Sequence, residues 1–583
     1  VARRVPAGTV AMLALVAAAV IAAVSVRPIT HSEVRYVEAG AEMARGGDWI
    51  VPHLAYVPYF EKPILAYWAE AAAQLVFGTS PLAARVPSMV AALATLGLTY
   101  AFGRSVRGSA FGLGAAALLA ASVAFELTGT AVTTDPLFAA FLAAAWYAFW
   151  RHRCAPGTAW IWAFWASAGL AVLTKGPLGA AFLAASILAY LSLARRLRDV
   201  RSMRPVRGVA VVVAINLPWT IAAWMRDPRY VEFFYLRQNL RAFADGSVNH
   251  TGPVWYYVPI VAIALFPFAV VASWALAREL WETLVRGRAA ARRPDASPAD
   301  HARLYLACVV VAPLLVLTAA GSKLSTYTLP LFPAIALIVA WHVADRLDRP
   351  SPLLRWATLA QAVLLGAVLA AVPFMLGRLP ADWATVARDA AVPLSVAGVA
   401  LVVSMAAGGV AMARGRIVAG MNIVGAGALA TVLILSSAAS RLGADHLATT
   451  LALELARVRK PGEPVIVSGL MVDDYSLVRA VGERVYVWGN ARELGMGHFT
   501  EATPRWRPLP DDPYEVAARG RVSLPQNPWL LDKGRIEEMW RGPARIWLEC
   551  RASELTRLRD AHLDLTVLDE KDDVAVVTNH PLP

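Results

Sequence analysis

The stretch ARRLRDVRSMRPVRGVAVVVAINL, Ala194 to Leu217, carries two signals back to back. Arginines recur from Arg195 to Arg207 with no lysine among them, and an apolar run centred near Val213 follows at once. A helix needs about 20 apolar residues to cross the hydrocarbon core of a bilayer, and connections left on the cytoplasmic side gather basic residues. The stretch therefore reads as a cytoplasmic loop entering a membrane helix. The same pattern recurs on both sides of it. Apolar segments centre near Ala17, Ala92, Leu118, Ala140, Ala166, Ser186, Ala264, Val311, Ile335, Gly366, Val402 and Ala428. With the Val213 segment they make about 13 candidate spans. Alternate connections carry Arg3 and Arg4, Arg104 and Arg107, Arg151 and Arg153, Arg195 to Arg207, Arg278 to Arg303, Arg346 to Arg355, and Arg414 and Arg416, again without lysine. This is a consistent cytoplasmic set. An odd number of spans puts the N-terminus inside and everything after about residue 440 outside.

Composition agrees. The 583 residues are 58% hydrophobic and 17% charged, with a mean hydropathy of +0.51, which is too apolar for a soluble protein. The net charge of +13 comes from arginines scattered between apolar spans, not gathered on one soluble face, so it argues against nucleic-acid binding. Cys154, Cys308 and Cys550 form no metal-spacing motif, and only Cys550 falls in the expected outer domain, which excludes a disulfide framework there. The run from Thr9 to Ala23 reads as a first span that stays attached, since no small-residue cleavage site clearly follows. Usage rich in Ala and Arg and poor in Lys suggests a GC-rich, bacterial genome.

Two outer segments are long. Arg27 to Pro81 opens with an amphipathic stretch, Glu33 to Arg45, with Val34, Val37 and Ala41 on one face and Arg35, Glu38, Glu42 and Arg45 elsewhere. That pattern predicts a helix lying along the interface, ended by the Gly46–Gly47 break. Arg226 to Pro253 holds aromatic and charged residues. Strand-like and charged helical runs alternate after about Gly443 and predict a small outer α/β domain. The expected organisation is a mainly α membrane domain over residues 1–442 and a periplasmic α/β domain over 443–583.

Lysine is scarce: there are six, and Lys62, Lys175 and Lys323 are the only ones before residue 460. Each ends an apolar segment, in YFEKP, LTKGP and GSKLSTY, and the topology puts all three on the outer face. One lysine at a lipid boundary is as readily a snorkelling cation. Three of them, with Tyr and Pro flanks and with Asp135 of TTDP at the same level, suggest a bound phosphate. SEVRY, Ser32 to Tyr36, and the adjacent Glu61 and Lys62 complete the outer clusters. Ionisable residues at membrane depth are functional candidates by default. Arg85, Trp49, Trp68 and Trp255 read as boundary residues.

These blocks resemble a known family. DWIVPHL and PYFEKPILAYW (within Asp48 to Trp68), FGTSPLAARVPS (Phe77 to Ser88), TTDPL, LTKGPLG, HTGPVWYYVP (His250 to Pro259), GSKLSTYTLPLFPAIAL (Gly321 to Leu337) and the tail stretch Asp473 to Gly497 are similar to the bacterial 4-amino-4-deoxy-L-arabinose lipid A transferases. Those are protein O-mannosyltransferase-like enzymes of the GT-C type. The resemblance implies a polytopic glycosyltransferase of the inner membrane, with its site at the periplasmic face. Its donor would be a sugar on undecaprenyl phosphate and its acceptor lipid A. It places Lys62, Lys175 and Tyr327 near the donor phosphate, and Arg35, Tyr36 and Tyr59 in the same cavity. It gives Glu61 and His250 as positions that hold a divalent metal cation, and Asp135 as the second acidic position of the fold. Lys323 joins the donor group through its place on the outer face.

The chain departs from the family in its first outer loop, which reads Ser32-Glu33 where the family has Asp-Glu. Glu33 is then the only acid there and shares the catalytic acid-base positions with Asp135. A phosphate acceptor tolerates that loss, because it is already anionic at neutral pH, with a second pKa of about 6, and needs no strong base, unlike a hydroxyl. Lysines or a metal would stabilise the leaving polyprenyl phosphate. A sister enzyme with another sugar or another acceptor, protein included, stays open. A lipid transporter fits less well, because transporters place charges near the midplane on repeat-related broken helices, whereas here they lie at one face and no repeat is visible.

Overall fold

The computed structural model of the protein describes residues 29–582 apart from 30, 79, 156, 246–250, 294, 347–355, 357, 368–380, 445–447, 469–475, 489–527, 532, 561–564 and 572–573. It is mainly helical. Six helices among the described residues are long and apolar enough to cross a membrane: Leu82–Arg107, Pro205–Arg226, Pro298–Ala319, Ser325–Ala344, Ala391–Ala413 and Ile417–Ser437. They contain the expected centres Ala92, Val213, Val311, Ile335, Val402 and Ala428. Other expected centres fall in shorter or less apolar helices, such as Ser109–Ala120, Thr134–Cys154, Thr158–Lys175 and Leu178–Leu193. The Ala264 segment is two helices, Tyr257–Ala264 and Ala269–Trp281, parted around Pro267, which has no N–H to continue the ladder. The Ala17 segment lies outside the described residues.

The chain divides into two compact units. Among the described residues, the first comprises Arg85–Pro218 and Phe234–Ser440. Its core is aromatic: Tyr305 packs on Phe149 with ring centroids 5.2 Å apart and on Trp150 at 6.1 Å, and its hydroxyl donates to the Trp146 carbonyl at 2.9 Å. Buried phenol groups need such an acceptor. Small residues set the helix spacing. A Cβ on Gly103 would stand 2.7 Å from Gly112 Cα in the following helix, so this pair of glycines permits a backbone contact that lipid cannot drive by itself. At one end of this unit Arg107 and Arg303 both pair with Asp345 and flank the Trp341 ring at 5.3 and 4.8 Å.

The second unit comprises Pro28–Ala84, Trp219–Phe233 and Arg441–Pro583. Its C-terminal part holds a six-stranded mixed sheet in the order Leu530–Leu531, Tyr486–Trp488, Val465–Ser468, Trp547–Arg551, Val574–Thr578, Thr566–Lys571. The first four strands run parallel and the last two pair antiparallel. Helix Lys533–Trp540 covers it through Ile536 and Trp540, and helix Ala552–Asp560 through Leu555 and Leu558. The Val465–Ser468 strand is buried at every position, as a central parallel strand should be. The N-terminal part is a pair of packed helices, His31–Gly46 and Leu65–Phe77. Here one expectation changes. The acidic positions of the first helix do not face water: Glu33, Glu38 and Glu42 are all buried. Gly40 lets the second helix approach, since a Cβ there would meet Glu70 Cβ at 2.7 Å. Period alone located two faces and could not say which of them the neighbouring helix would cover.

Candidate functional site

The expected site residues fall in both units, and each group is described in its own unit. In the second unit the chain after Gly47, whose φ of +70° favours glycine, turns back on itself. Asp48 Oδ1 accepts from the Ile50 and Val51 amides at 3.0 and 3.1 Å. The indole of Trp68 donates to the Trp49 carbonyl at 2.7 Å, and that of Trp219 to the Ile50 carbonyl at 2.9 Å. A short hairpin, His53–Leu54 against Val57–Pro58, is closed by the Tyr59 amide donating to the Pro52 carbonyl at 2.8 Å. The chain leaves this frame directly into Glu61 and Lys62, and Pro63 then directs it into helix Leu65–Phe77. The Tyr59 hydroxyl donates to Glu61 Oε2 at 3.2 Å, and Lys62 Nζ donates to the Glu61 carbonyl at 3.2 Å. That is one of the three bonds an ammonium can make. Tyr67 stacks on Tyr36 at 5.9 Å and meets Tyr59 edge-on at 6.2 Å, while the Arg35 guanidinium lies 5.5 Å from the Tyr36 ring centre. Arg35, Tyr36, Tyr59, Glu61 and Lys62 therefore form one neighbourhood around an aromatic floor. Glu33 is fully buried.

In the first unit, Thr133 caps helix Thr134–Cys154, its hydroxyl accepting from the Asp135 amide at 3.3 Å. Asp135 stands in the first turn. Helix Thr158–Lys175 returns antiparallel and ends at Lys175, whose ammonium pairs with the Asp135 carboxylate. Both side chains are about nine-tenths buried or more, at 5% and 10% exposure. Each charge also faces the favourable end of its own helix dipole, the anion at an N-terminus and the cation at a C-terminus. Gly176 ends the helix at φ +81°, and a Cβ there would strike the Phe234 ring at 2.8 Å. Lys175 Nζ lies 4.3 Å from the centre of the Tyr327 ring and 5.5 Å from that of Phe138, within cation–π range. Asp135, Lys175 and Tyr327 are thus one cluster. Arg151 and Arg153 sit in the last turn of the helix that Asp135 opens. The lysine end of this helix pair is the end opposite its arginines.

Lys323 is placed differently. Its Nζ donates to the carbonyls of Thr318 at 2.9 Å and Ala320 at 2.6 Å, so it caps the C-terminus of helix Pro298–Ala319. Lysine near a helix end satisfies the last carbonyls in this way. Lys323→Met is expected to lower the thermal midpoint, at a scale of about 1 kcal/mol for such a cap, while leaving affinity for a phosphate ligand within about twofold (about 0.4 kcal/mol). A thermal melt beside a binding titration checks both. The HTGP block runs next to it: Thr251 pairs with Ser322 in an antiparallel bridge, and a Cβ on Gly252 would sit 3.2 Å from Lys323 Cδ. His250 lies outside the described residues. Among the described residues no group of three His, Cys, Asp or Glu side chains has the arrangement of a metal site.

Sequence reasoning missed the pairing of Lys175 with Asp135. Both residues were singled out, but for separate roles. Their separation of 40 residues carries no signal of contact; only the antiparallel return of two helices joined by a short loop could have indicated it.

Residues 10–234 match the family model described as dolichyl-phosphate-mannose-protein mannosyltransferase. The chain is 31% identical over 316 residues to the undecaprenyl phosphate-alpha-4-amino-4-deoxy-L-arabinose arabinosyl transferase of Edwardsiella ictaluri, covering 53% of this chain and 54% of the relative. The transferase of the same name from Pectobacterium carotovorum is 31% identical over 355 residues, covering 58% and 60%. The chain thus spans a little over half the length of the curated relatives it matches. In fold, it superposes with a TM-score of 0.81 on ArnT from Cupriavidus metallidurans bound to undecaprenyl phosphate, at 21% identity and over 98% of both chains.

Proposed function

We propose that this chain, related in sequence to the arabinosyl transferases and sharing the fold of ArnT, transfers 4-amino-4-deoxy-L-arabinose from undecaprenyl phosphate to lipid A. One observation carries the reading: the family match over residues 10–234 contains both the Arg35–Lys62 neighbourhood and the Asp135–Lys175 pair. The organisation that goes with it is the one the sequence predicts. The N-terminus is inside, about 13 spans cross the inner membrane, and residues 443–583 form a periplasmic domain. The lysines standing at helix ends opposite the arginines support that orientation.

The chemistry is a displacement at the anomeric carbon with inversion. A lipid A phosphate oxygen forms the new bond, the bond to the polyprenyl phosphate oxygen breaks, and the leaving phosphate takes the electron pair. Lys62 and Arg35 supply positive charge to that phosphate, and charge–dipole stabilisation of a developing anion is the largest contribution such a site makes. Tyr36, Tyr59 and Tyr67 are buried against one another and form the packed floor that supports Arg35 and Lys62. Lys175, balanced by Asp135, orients and hydrogen-bonds more than it attracts. Glu61 is suited to hold a divalent cation, with the Tyr59 hydroxyl orienting its carboxylate from behind, and His250 is the second proposed ligand. Such a cation would neutralise charge on the leaving phosphate.

Mass spectrometry of lipid A from cells with and without the protein tests the reading. An aminopentose adduct present only with the protein is the expected result; an unmodified lipid A beside a newly glycosylated envelope component would replace it with the sister reading, which the Ser32-Glu33 departure keeps open. The acceptor class has its own test. For a phosphate acceptor Glu33→Gln is expected to leave transfer within about tenfold of wild type, whereas a base serving a hydroxyl contributes about 100- to 10,000-fold. Initial rates of the folded variant decide between them.

A further inference from the structure

We infer that Glu42 is a positioning residue: its carboxyl holds the Ala55–Tyr56 turn in its left-handed conformation and so fixes where Glu61 and Lys62 stand. The inference rests on the reading of Lys62 as a donor-phosphate ligand. Ala55 and Tyr56 both have positive φ, 53° and 59°, although neither is glycine. A two-residue hairpin turn with both φ values positive is normally built from Asn-Gly or a similar pair. The Cβ of an L-residue crowds its carbonyl in that region, so something must hold this turn.

Three contacts do. Glu42 Oε2 accepts from the Tyr56 amide at 2.8 Å. The Tyr56 hydroxyl donates to the Gly482 carbonyl at 2.6 Å, tying the turn to the sheet-bearing part of the same unit. The Tyr59 amide closes the base of the hairpin on Pro52. Lys62 lies three residues beyond that closure, and Phe60 between them is buried against Tyr230 at 5.1 Å. A turn that relaxed would move the hairpin, and with it the segment that carries Lys62.

The carboxyl is set up for a neutral form. It is buried, and its pKa is pushed up to about 8, by burial first and by the nearby Glu38 second. Its other oxygen, Oε1, has no hydrogen-bond partner among the described residues. The charged or titratable groups that face it are Glu38 and Arg45 on its own helix and Tyr56 on the hairpin. Arg45 is bound to Glu38 at 2.7 Å. Glu70 on the neighbouring helix is a further buried carboxyl of this helix pair. The sign follows. With the folded value raised, the contribution to stability is fully present below the ordinary value of 4.5, and it falls as pH rises to about 8, where the proton is lost and two buried carboxylates face each other.

The test uses the full chain in nanodiscs, with undecaprenyl phosphate as the titrated probe. Glu42→Ala is expected to weaken binding about tenfold, the scale of one strained residue. Glu42→Gln, which keeps the acceptor oxygen for the Tyr56 amide, should bind like wild type. Ala55→Gly removes the strain without touching Glu42, so in the Glu42→Ala background it should restore binding. A folded Glu42→Ala that glycine fails to rescue, or a Glu42→Gln as weak as Glu42→Ala, overturns the inference. Should Glu42→Ala not fold, Glu42→Gln decides: wild-type binding with wild-type protection of the Tyr56 amide supports the inference, and loss of either overturns it. Hydrogen exchange at the Tyr56 amide separates the two levels of argument. If Lys62→Ala leaves probe binding unchanged, the donor-site reading fails, and amide protection lost in Glu42→Ala and regained with Ala55→Gly still decides whether Glu42 holds the turn.

Discussion

Lys62→Ala is expected to lower sugar transfer by about 100- to 1,000-fold while the protein still inserts and accumulates at wild-type levels. The magnitude is that of removing one preorganised donor from a developing anion in a water-poor site. Lys62 suits this because, among the described residues, its hydrogen bond is to the carbonyl of the residue before it, a contact whose loss should barely affect the fold. The side chain is half-buried, so its removal opens no core cavity. Lys62→Arg should recover only part of the rate, because a planar fork does not occupy the place of a compact ammonium. Transfer from a polyprenyl-phosphate donor in proteoliposomes, set beside the thermal midpoint of each variant, checks the claim. Equal losses of rate and of midpoint would make Lys62 a structural residue.

The Asp135–Lys175 pair should behave in the opposite way. Breaking a buried pair from one side leaves an uncompensated charge and destabilises by about 3–5 kcal/mol. Lys175→Met and Asp135→Asn should therefore each lower the thermal midpoint and the amount of protein in the membrane. The sequence reading puts Lys175 near the donor phosphate with no structural partner, where Lys175→Ala would lose transfer while protein levels hold, and the ion pair changes that expectation. The double variant Lys175→Met/Asp135→Asn removes both charges together and should recover most of the midpoint, since replacing a buried pair with neutral groups is often close to neutral. Transfer should not recover with it, because the ammonium over the Tyr327 ring would still be missing. A double-mutant cycle on both quantities gives the coupling. Recovery of transfer together with stability would show the pair to be a structural staple and would remove Lys175 and Asp135 from the chemistry.

The long apolar helices were legible in the sequence for a simple reason. Spanning segments answer to composition and length, which are local or additive properties. Six of the expected centres lie in helices long enough to cross a bilayer, and the alternation of apolar runs with arginine loops needed no knowledge of contacts. The motifs YFEKP, TTDP and LTKGP were legible too, because charges next to proline at the end of an apolar run are conspicuous against a background that excludes them.

Pairing and burial were not legible, because they depend on which faces meet. Helical periodicity divided the Glu33–Arg45 stretch into two faces, yet only tertiary packing, by the Leu65–Phe77 helix that Gly40 admits and by the hairpin whose Tyr56 amide meets Glu42, left Glu38 and Glu42 buried. Lys323 looked the equal of Lys175 in sequence. Tertiary structure gave one a carboxylate and two aromatic faces and the other the last carbonyls of a helix. The turn at Ala55–Tyr56 carries no glycine or asparagine to announce it. Its conformation follows from a carboxyl 14 residues away along the chain, a distance over which local propensity has no influence and only the fold can act.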